Sequence, residues 1–409
     1  LINHPFLSVC MIVKNEADLL PGCLESISDL ADEIIVVDTG STDNTVKIAL
    51  NYGAKVYHEI WQNHFGKARN RSLEQARGQW VLILDADERF PLEFKNRLIP
   101  LLYRAILRKT EGIIVKIKSY YGKDIGYNYV FDSACRIFRN RPEYRFKLSL
   151  HEEMSHIILK KNPKARIETT DIYIEHFGYV EKIIHQKRKN ERNLNILKRE
   201  LENNPHDPFL NYACGTEYFQ QQQYQLALDY YRKALKVDLK TLSFGADLIY
   251  KMAVSYLHLR EYKKGLMTVE RGLKIFPDFT ALWFIKGELH YLQGQLEIAR
   301  SAYQKCLEIR SDPRRYIQIN GLESFRTYWA LGRTFEKEGN EEKAVEFYCL
   351  AYQNNHQYQS AYEGILRIFK SQKNRILNYL DFSSINSNYD PVFDLYKTWL
   401  SGGETYEQN

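Results

Sequence analysis

No stretch of this 409-residue chain comes near eighteen consecutive apolar residues, so no helix that spans a bilayer is expected. A charged start followed by an apolar signal core is also missing. The six cysteines, Cys10, Cys23, Cys135, Cys214, Cys306 and Cys349, show neither zinc spacing nor paired spacing. Scattered over predicted strands and helices, they read as reduced core thiols of a cytoplasmic protein. A large excess of charge is lacking too: 57 Lys and Arg against 51 Asp and Glu leave +6. That balance does not call for nucleic acid, but it suits a phosphate-bearing ligand or an acidic partner.

What is present begins with three apolar runs, each closed by polar residues. Leu7-Ser8-Val9-Cys10-Met11-Ile12-Val13 ends at Lys14-Asn15-Glu16, and Ile34-Ile35-Val36-Val37 ends at Asp38-Thr39-Gly40-Ser41-Thr42-Asp43. Between them, Cys23, Leu24 and Ile27 recur at helical spacing. Strand, helix, strand implies a right-handed parallel βαβ unit with a nucleotide crevice at the carboxyl ends of its strands. Asp38 then points into that crevice, where its carboxylate could accept from a base N–H or a ribose hydroxyl; capping its own turn is the alternative.

The third run, Val81-Leu82-Ile83-Leu84, leads straight into Asp85-Ala86-Asp87-Glu88. Two carboxylates one residue apart raise each other's pKa unless a positive group joins them. A hard divalent cation gripping a diphosphate is the natural partner for such a pair; solvated acids at a strand end are the plainer one.

These three segments, with Ala68-Arg69-Asn70 between the second and the third, resemble in order and spacing the family 2 inverting glycosyltransferases of the GT-A fold. The resemblance implies a UDP-linked sugar donor, UDP-glucose or UDP-GlcNAc, and a Mg²⁺ or Mn²⁺ ion. Position by position, Lys14 and Glu16 would line the nucleotide pocket, Asp38 would face the base, and Asp85 and Asp87 would address ribose and metal. Arg69 would contact diphosphate or sugar, since a guanidinium suits phosphate oxygens. Further on, Arg136-Ile137-Phe138-Arg139, His151-Glu152-Glu153 and His176-Phe177-Gly178-Tyr179 fit the branch that joins this domain to helical repeats, including the peptide S-glycosyltransferases of the sublancin type. On that likeness Arg136 joins the substrate-binding residues. Glu152, or His151 beside it, is the candidate base, and His176 the candidate third metal ligand.

The second half follows a different rule. The small and large residues Gly215, Tyr218, Tyr224, Ala227, Tyr231 and Ala234 recur through Ala253 and Gly265, thirty-four residues later through Gly287 and Ala299 with Tyr303 and Cys306, and, after a longer connection, through Gly332, Ala344, Tyr348 and Ala351. This is the tetratricopeptide pattern of paired antiparallel helices. A helix through Ile365, Leu366, Ile368 and Phe369 would cap the array, and Arg310–Tyr316 would project from it as a loop.

The sequence therefore predicts an α/β GT-A domain with a mostly parallel sheet over 1–180 and a helical linker over 181–206. An all-α repeat array over 207–375 and a polar tail over 376–409 follow. The expected activity is metal-dependent, inverting transfer of a hexose to a Cys thiol or Ser hydroxyl of a peptide or protein, as in maturation of a glycosylated bacteriocin. The repeats would grip that peptide or build a homodimer. Two alternatives stand beside it. One is transfer to a cell-envelope or lipid-linked glycan, favoured if residues 182–199 form a membrane-facing basic helix; the other is a scaffold with an inactive transferase domain.

Overall fold

The computed structural model describes residues 5–123, 125–150, 153–180, 189–235 and 238–371. His151 and Glu152, Ile183 and Ile184 of the linker, and the tail over 376–409 lie outside the described residues.

The first apolar run becomes β1 (Leu7–Val13), flanked on either side by parallel partners, β2 (Glu33–Asp38) and β4 (Trp80–Ile83). All three are buried almost throughout, as strands covered on both faces must be. Alternation assigns the faces. Leu7, Val9, Met11 and Val13 pack with α1 (Leu20–Ile27) and α4 (Leu92–Leu107), whereas Cys10, Ile35, Val81 and Ile83 meet Leu73 of α3 (Phe65–Gln75) and Ile157 and Ile158 of α5 (Met154–Lys161). On the far side of β2, after α2 (Thr45–Asn51), β3 (Lys55–His58) continues the parallel run.

Beyond β4 the sheet changes direction. β6 (Thr110–Gly122) and β7 (Tyr129–Arg139) are joined by a connection too short for a parallel crossover, so they pair antiparallel, and β7 runs antiparallel to β4. β8 (Arg166–Val180) lies parallel to β6, and the two-residue β5 (Glu88–Arg89) closes the order β3-β2-β1-β4-β7-β6-β8-β5.

Helices follow: α6 (Lys189–Asn203), then the pairs α7 (Pro208–Gln220) with α8 (Tyr224–Ala234), and α9 (Gly245–His258) with α10 (Tyr262–Ile275). Residues up to Leu282, together with Ser311–Asn320, form one compact unit with the sheet; Trp283–Arg310 and the described residues from Gly321 onward form another. The expected loop over Arg310–Tyr316 does not project. Ser311 and Tyr316 are buried, Tyr316 stacks on Phe279 at 4.7 Å and donates to Asp278, and the following β9 (Gln318–Ile319) pairs antiparallel with Val130 and Phe131 of β7. Apolar and hydrogen-bonding anchors on both sides of the charged residues outweigh the solvation that the sequence alone suggested.

In the second unit, α11 (Thr280–Leu292) and α12 (Leu296–Glu308) are followed by α13 (Phe325–Glu338), α14 (Glu341–Asn354) and α15 (Gln359–Ser371). Its helices cross where a glycine meets a tyrosine ring. A Cβ on Gly287 would come within 2.4 Å of Tyr303, and one on Gly332 within 2.6 Å of Tyr348, while Gly215 and Tyr231 repeat the contact in the first unit. Ile365 and Ile368 of α15 bury against Tyr348, which caps the described repeats.

Candidate active site

Three loops leave the carboxyl ends of β1, β2 and β4 side by side. Those after β1 and β2 are fastened together: Asn15 accepts from the Thr42 N–H at 2.7 Å, and Asp43 accepts from the Ala17 N–H at 3.1 Å. Asn15 stands at φ 53°, a left-handed conformation that asparagine tolerates better than most residues. Asp38, at the end of β2, turns its carboxylate back on its own loop, accepting from the Gly40 and Ser41 N–H groups, with His58 Nδ1 at 3.3 Å. It thus takes the turn-capping role. It also lines an open cleft of about 360 Å³ together with Gly40, His58, Ile60 and Trp61. Lys14 is exposed and Glu16 half-buried at the neighbouring loop.

The loop after β4 holds the acidic pair. Asp85 meets Arg69 Nη2 at 3.4 Å and Arg136 Nη2 at 3.7 Å; burial opposes its ionisation, but the two guanidiniums outweigh that and hold its carboxyl below the usual range. Arg136 makes a shorter bond, 2.6 Å, to buried Glu88, whose second oxygen accepts from the Asp85 N–H. Burial still pushes the Glu88 carboxyl up to about 8. Asp87 is buried, and its Oδ1 lies 3.7 Å from His176 Nε2. His176 reaches that place because β8 pairs with β5 in the register Glu88↔His176, and Ser119 Oγ, 3.1 Å from Nδ1, fixes the ring.

Of the residues singled out in the sequence, Arg69, Asp85, Asp87, Arg136 and His176 are therefore brought together. Asp38, Lys14 and Glu16 border the same end of the sheet. Residues 8–161 match glycosyl transferase family 2, and residues 210–241, 280–313 and 325–356 match the tetratricopeptide repeat. A TPR repeat-containing protein of Synechococcus elongatus is 30% identical over 311 residues, 74% of this chain and 75% of that protein. The chain belongs to glycosyl transferase family 2, fused to tetratricopeptide repeats. The glycosyltransferase SunS of Bacillus subtilis is 29% identical over 238 residues, 57% of this chain and 54% of SunS, so the alignment spans about half of that relative's length. Among solved structures, residues 1–349 of TarS from S. aureus superpose with a TM-score of 0.36 at 18% identity, over 73% of this chain and 90% of that one.

A glycosyltransferase must hold a sugar donor, and several residues around this site were not singled out from the sequence. Trp61 and Ile60 lie in a polar stretch without periodicity. Ser119 enters only through the register of β6 and β8, and Tyr179, quoted in the His176-Phe177-Gly178-Tyr179 segment without a role of its own, meets the His176 ring edge-on at 4.9 Å. Arg192 and Asn193 of α6 fell in the expected helical linker and were given no role there. Yet the Arg192 guanidinium sits over the Phe65 ring at 5.0 Å, and Arg69 approaches the same ring at 6.0 Å.

The fold family implies a divalent ion, and the donor set at Asp87 and His176 fits one. A carboxylate oxygen and an imidazole nitrogen 3.7 Å apart, the imidazole steadied through its other nitrogen, match ligand bonds of about 2.1 Å to one ion after slight adjustment. Asp85, shared by two arginines, fits that ion less well. Among the described residues no third His, Cys, Asp or Glu completes a cluster.

Proposed function

We propose that this glycosyltransferase moves a hexose from a UDP-sugar to a Cys thiol or Ser hydroxyl of a peptide or protein, with inversion and with Mg²⁺ or Mn²⁺. The observation that carries the donor reading is the placement of Asp87 and His176 beside Arg69, Asp85 and Arg136 at the strand ends, next to the cleft of Asp38 and Trp61. In that cleft Trp61 offers a ring for a nucleobase and Asp38 a carboxylate edge. Lys14 and Glu16 border it, and Arg69 and Arg136 stand where phosphate or sugar oxygens would arrive. Asp87 and His176 would hold the metal, which when bound supplies positive charge for the departing diphosphate.

In the transfer, the acceptor's O–H or S–H proton passes to a base as its oxygen or sulfur bonds to the anomeric carbon, and the bond to UDP breaks. Glu152, with His151 as runner-up, is the proposed base. A thiol asks little of it, because a Cys pKa of about 8.5 already leaves a few per cent thiolate at neutral pH. The peptide acceptor draws support from the repeats, whose stacked helix pairs suit extended chains or a second subunit, and from the relationship to SunS. A membrane-facing role for residues 182–199 draws less, because Leu194, Ile196 and Leu197 are buried. No described helix is long and apolar enough to cross a membrane.

The test is donor turnover with UDP-glucose and UDP-GlcNAc in Mn²⁺, followed by mass spectrometry of Cys- and Ser-containing peptides incubated with the enzyme. Hydrolysis of neither sugar nucleotide would end the donor reading. Hydrolysis without any glycosylated peptide would redirect the acceptor to a glycan.

A further inference from the structure

Four carboxyl groups, Glu16, Asp85, Asp87 and Glu88, border the strand ends to which the proposed function assigns the diphosphate. The two guanidiniums beside Asp85, Arg136 from β7 and Arg69 from α3, are already committed, Arg136 to Glu88 and Asp85, and Arg69 to Asp85. A third guanidinium faces the same space from outside the sheet. Arg192 lies within electrostatic reach of Glu16, Asp85 and Asp87. Its hydrogen bonds go to the neighbouring Asn193 Oδ1, at 3.4 Å from both Nε and Nη2, and no described carboxylate pairs with it. A desolvated guanidinium held by two long bonds to an amide is unusual, because its five donors suit bidentate anions.

Contacts and longer-range charge effects together link its surroundings in a ring. Arg192 and Arg69 share the Phe65 ring, Arg69 meets Asp85, and Asp87 faces His176. Tyr179 touches His176 and lies within electrostatic reach of both Asp87 and Glu217. Glu217 of α7, in the first repeat, accepts from Asn193 Nδ2 at 3.1 Å, which closes the ring. That bond fixes the Asn193 amide so that its oxygen turns toward Arg192.

We propose that Arg192, oriented through Asn193 by Glu217 of the first repeat, grips the diphosphate of the nucleotide-sugar donor. This rests on the donor reading above and adds to it a residue supplied by the helix that follows the α/β domain. The repeats then act on donor binding as well as on the acceptor. Glu217 is a positioning residue: it reaches the ligand through Asn193 and Arg192.

Titration calorimetry of the full chain with UDP, UMP and uridine in Mn²⁺ tests it. Arg192→Ala should weaken UDP by about tenfold or more, as expected for loss of charged hydrogen bonds, and leave uridine within about twofold. Glu217→Gln should give a smaller loss with the same preference for the phosphates, which a merely structural carboxylate would not show. UDP affinity unchanged in Arg192→Ala, or equal losses for UDP and uridine, would overturn the assignment. Should Arg192→Ala fail to fold, Arg192→Lys decides: it keeps the charge but lacks the planar fork, so a selective loss of UDP affinity supports the proposal and an unchanged value ends it. A wild-type protein that binds no UDP removes the donor reading and this role together, whereas one that binds UDP regardless of Arg192 removes this role alone.

Discussion

Asp87→Asn keeps the shape of the side chain and removes one charge facing His176. It should abolish the Mn²⁺-dependent part of UDP affinity while the thermal midpoint stays within a few degrees; equal UDP affinity with and without the substitution would take the ion away from this residue. Glu152→Gln should lower transfer by about a hundredfold or more with donor binding unchanged, read from single-turnover rates, and a change confined to acceptor KM would reassign it to binding. Glu217 supports a prediction on stability. It is buried, its Oε2 finds no hydrogen-bond partner among the described residues, and burial pushes its carboxyl up to about 7 against the pull of Asn193, Arg192 and Lys251. Tyr179 and Cys214 are the other titratable groups near it. A carboxyl raised in the folded state contributes its full stability below the unfolded pKa, and that contribution is lost as pH rises from about 4.5 toward 7. Glu217→Gln should therefore gain on the wild type by roughly 2.5 kcal/mol between pH 5 and pH 8, measured by urea unfolding; parallel curves at the two pH values would refute it. At this scale the acidic pair could be picked out as a motif at the end of an apolar strand, whereas His176, inside β8, was singled out only by the resemblance carried by His176-Phe177-Gly178-Tyr179. Arg192 and Glu217 were not, since a charged residue on a helix looks solvated until the partner surface is known.

Among the elements, β1, β2 and β4 could be read from apolar runs alone, and the repeats from small and large residues returning in the same order in each copy. The β6–β7 hairpin was harder to read: β6 carries Lys116 and Lys118 on a face that meets aromatic rings, so its alternation is weak. The repeat packing makes a prediction of its own. Gly332→Ala would force a methyl group into the Tyr348 ring and should cost roughly 1–3 kcal/mol, as overpacking commonly does. A melting temperature equal to wild type would show that the two helices can part without loss.

For the whole molecule, the pattern change near residue 180 separates sheet from helix, but compactness follows another line. The first repeats and Ser311–Asn320 belong to the same unit as the sheet. Truncation after residue 205 would strip away β9 and the bond between Asn193 and Glu217, and should lower the thermal midpoint well below that of a chain ending after residue 320. Equal midpoints for the two truncations, followed by circular dichroism, would make β9 and the first repeats dispensable.

The return of β9 to β7 sets an order of events during synthesis. Asn320 donates to the Tyr127 carbonyl across a separation of 193 residues, beside the Gln318–Ile319 pairing. At ribosomal speeds of about 5–20 residues per second, the β7 edge emerges roughly ten to forty seconds before the strand that covers it. Through that interval the nascent chain carries an open sheet margin, the kind of surface that recruits holdase chaperones or pairs with a neighbour on the same polysome.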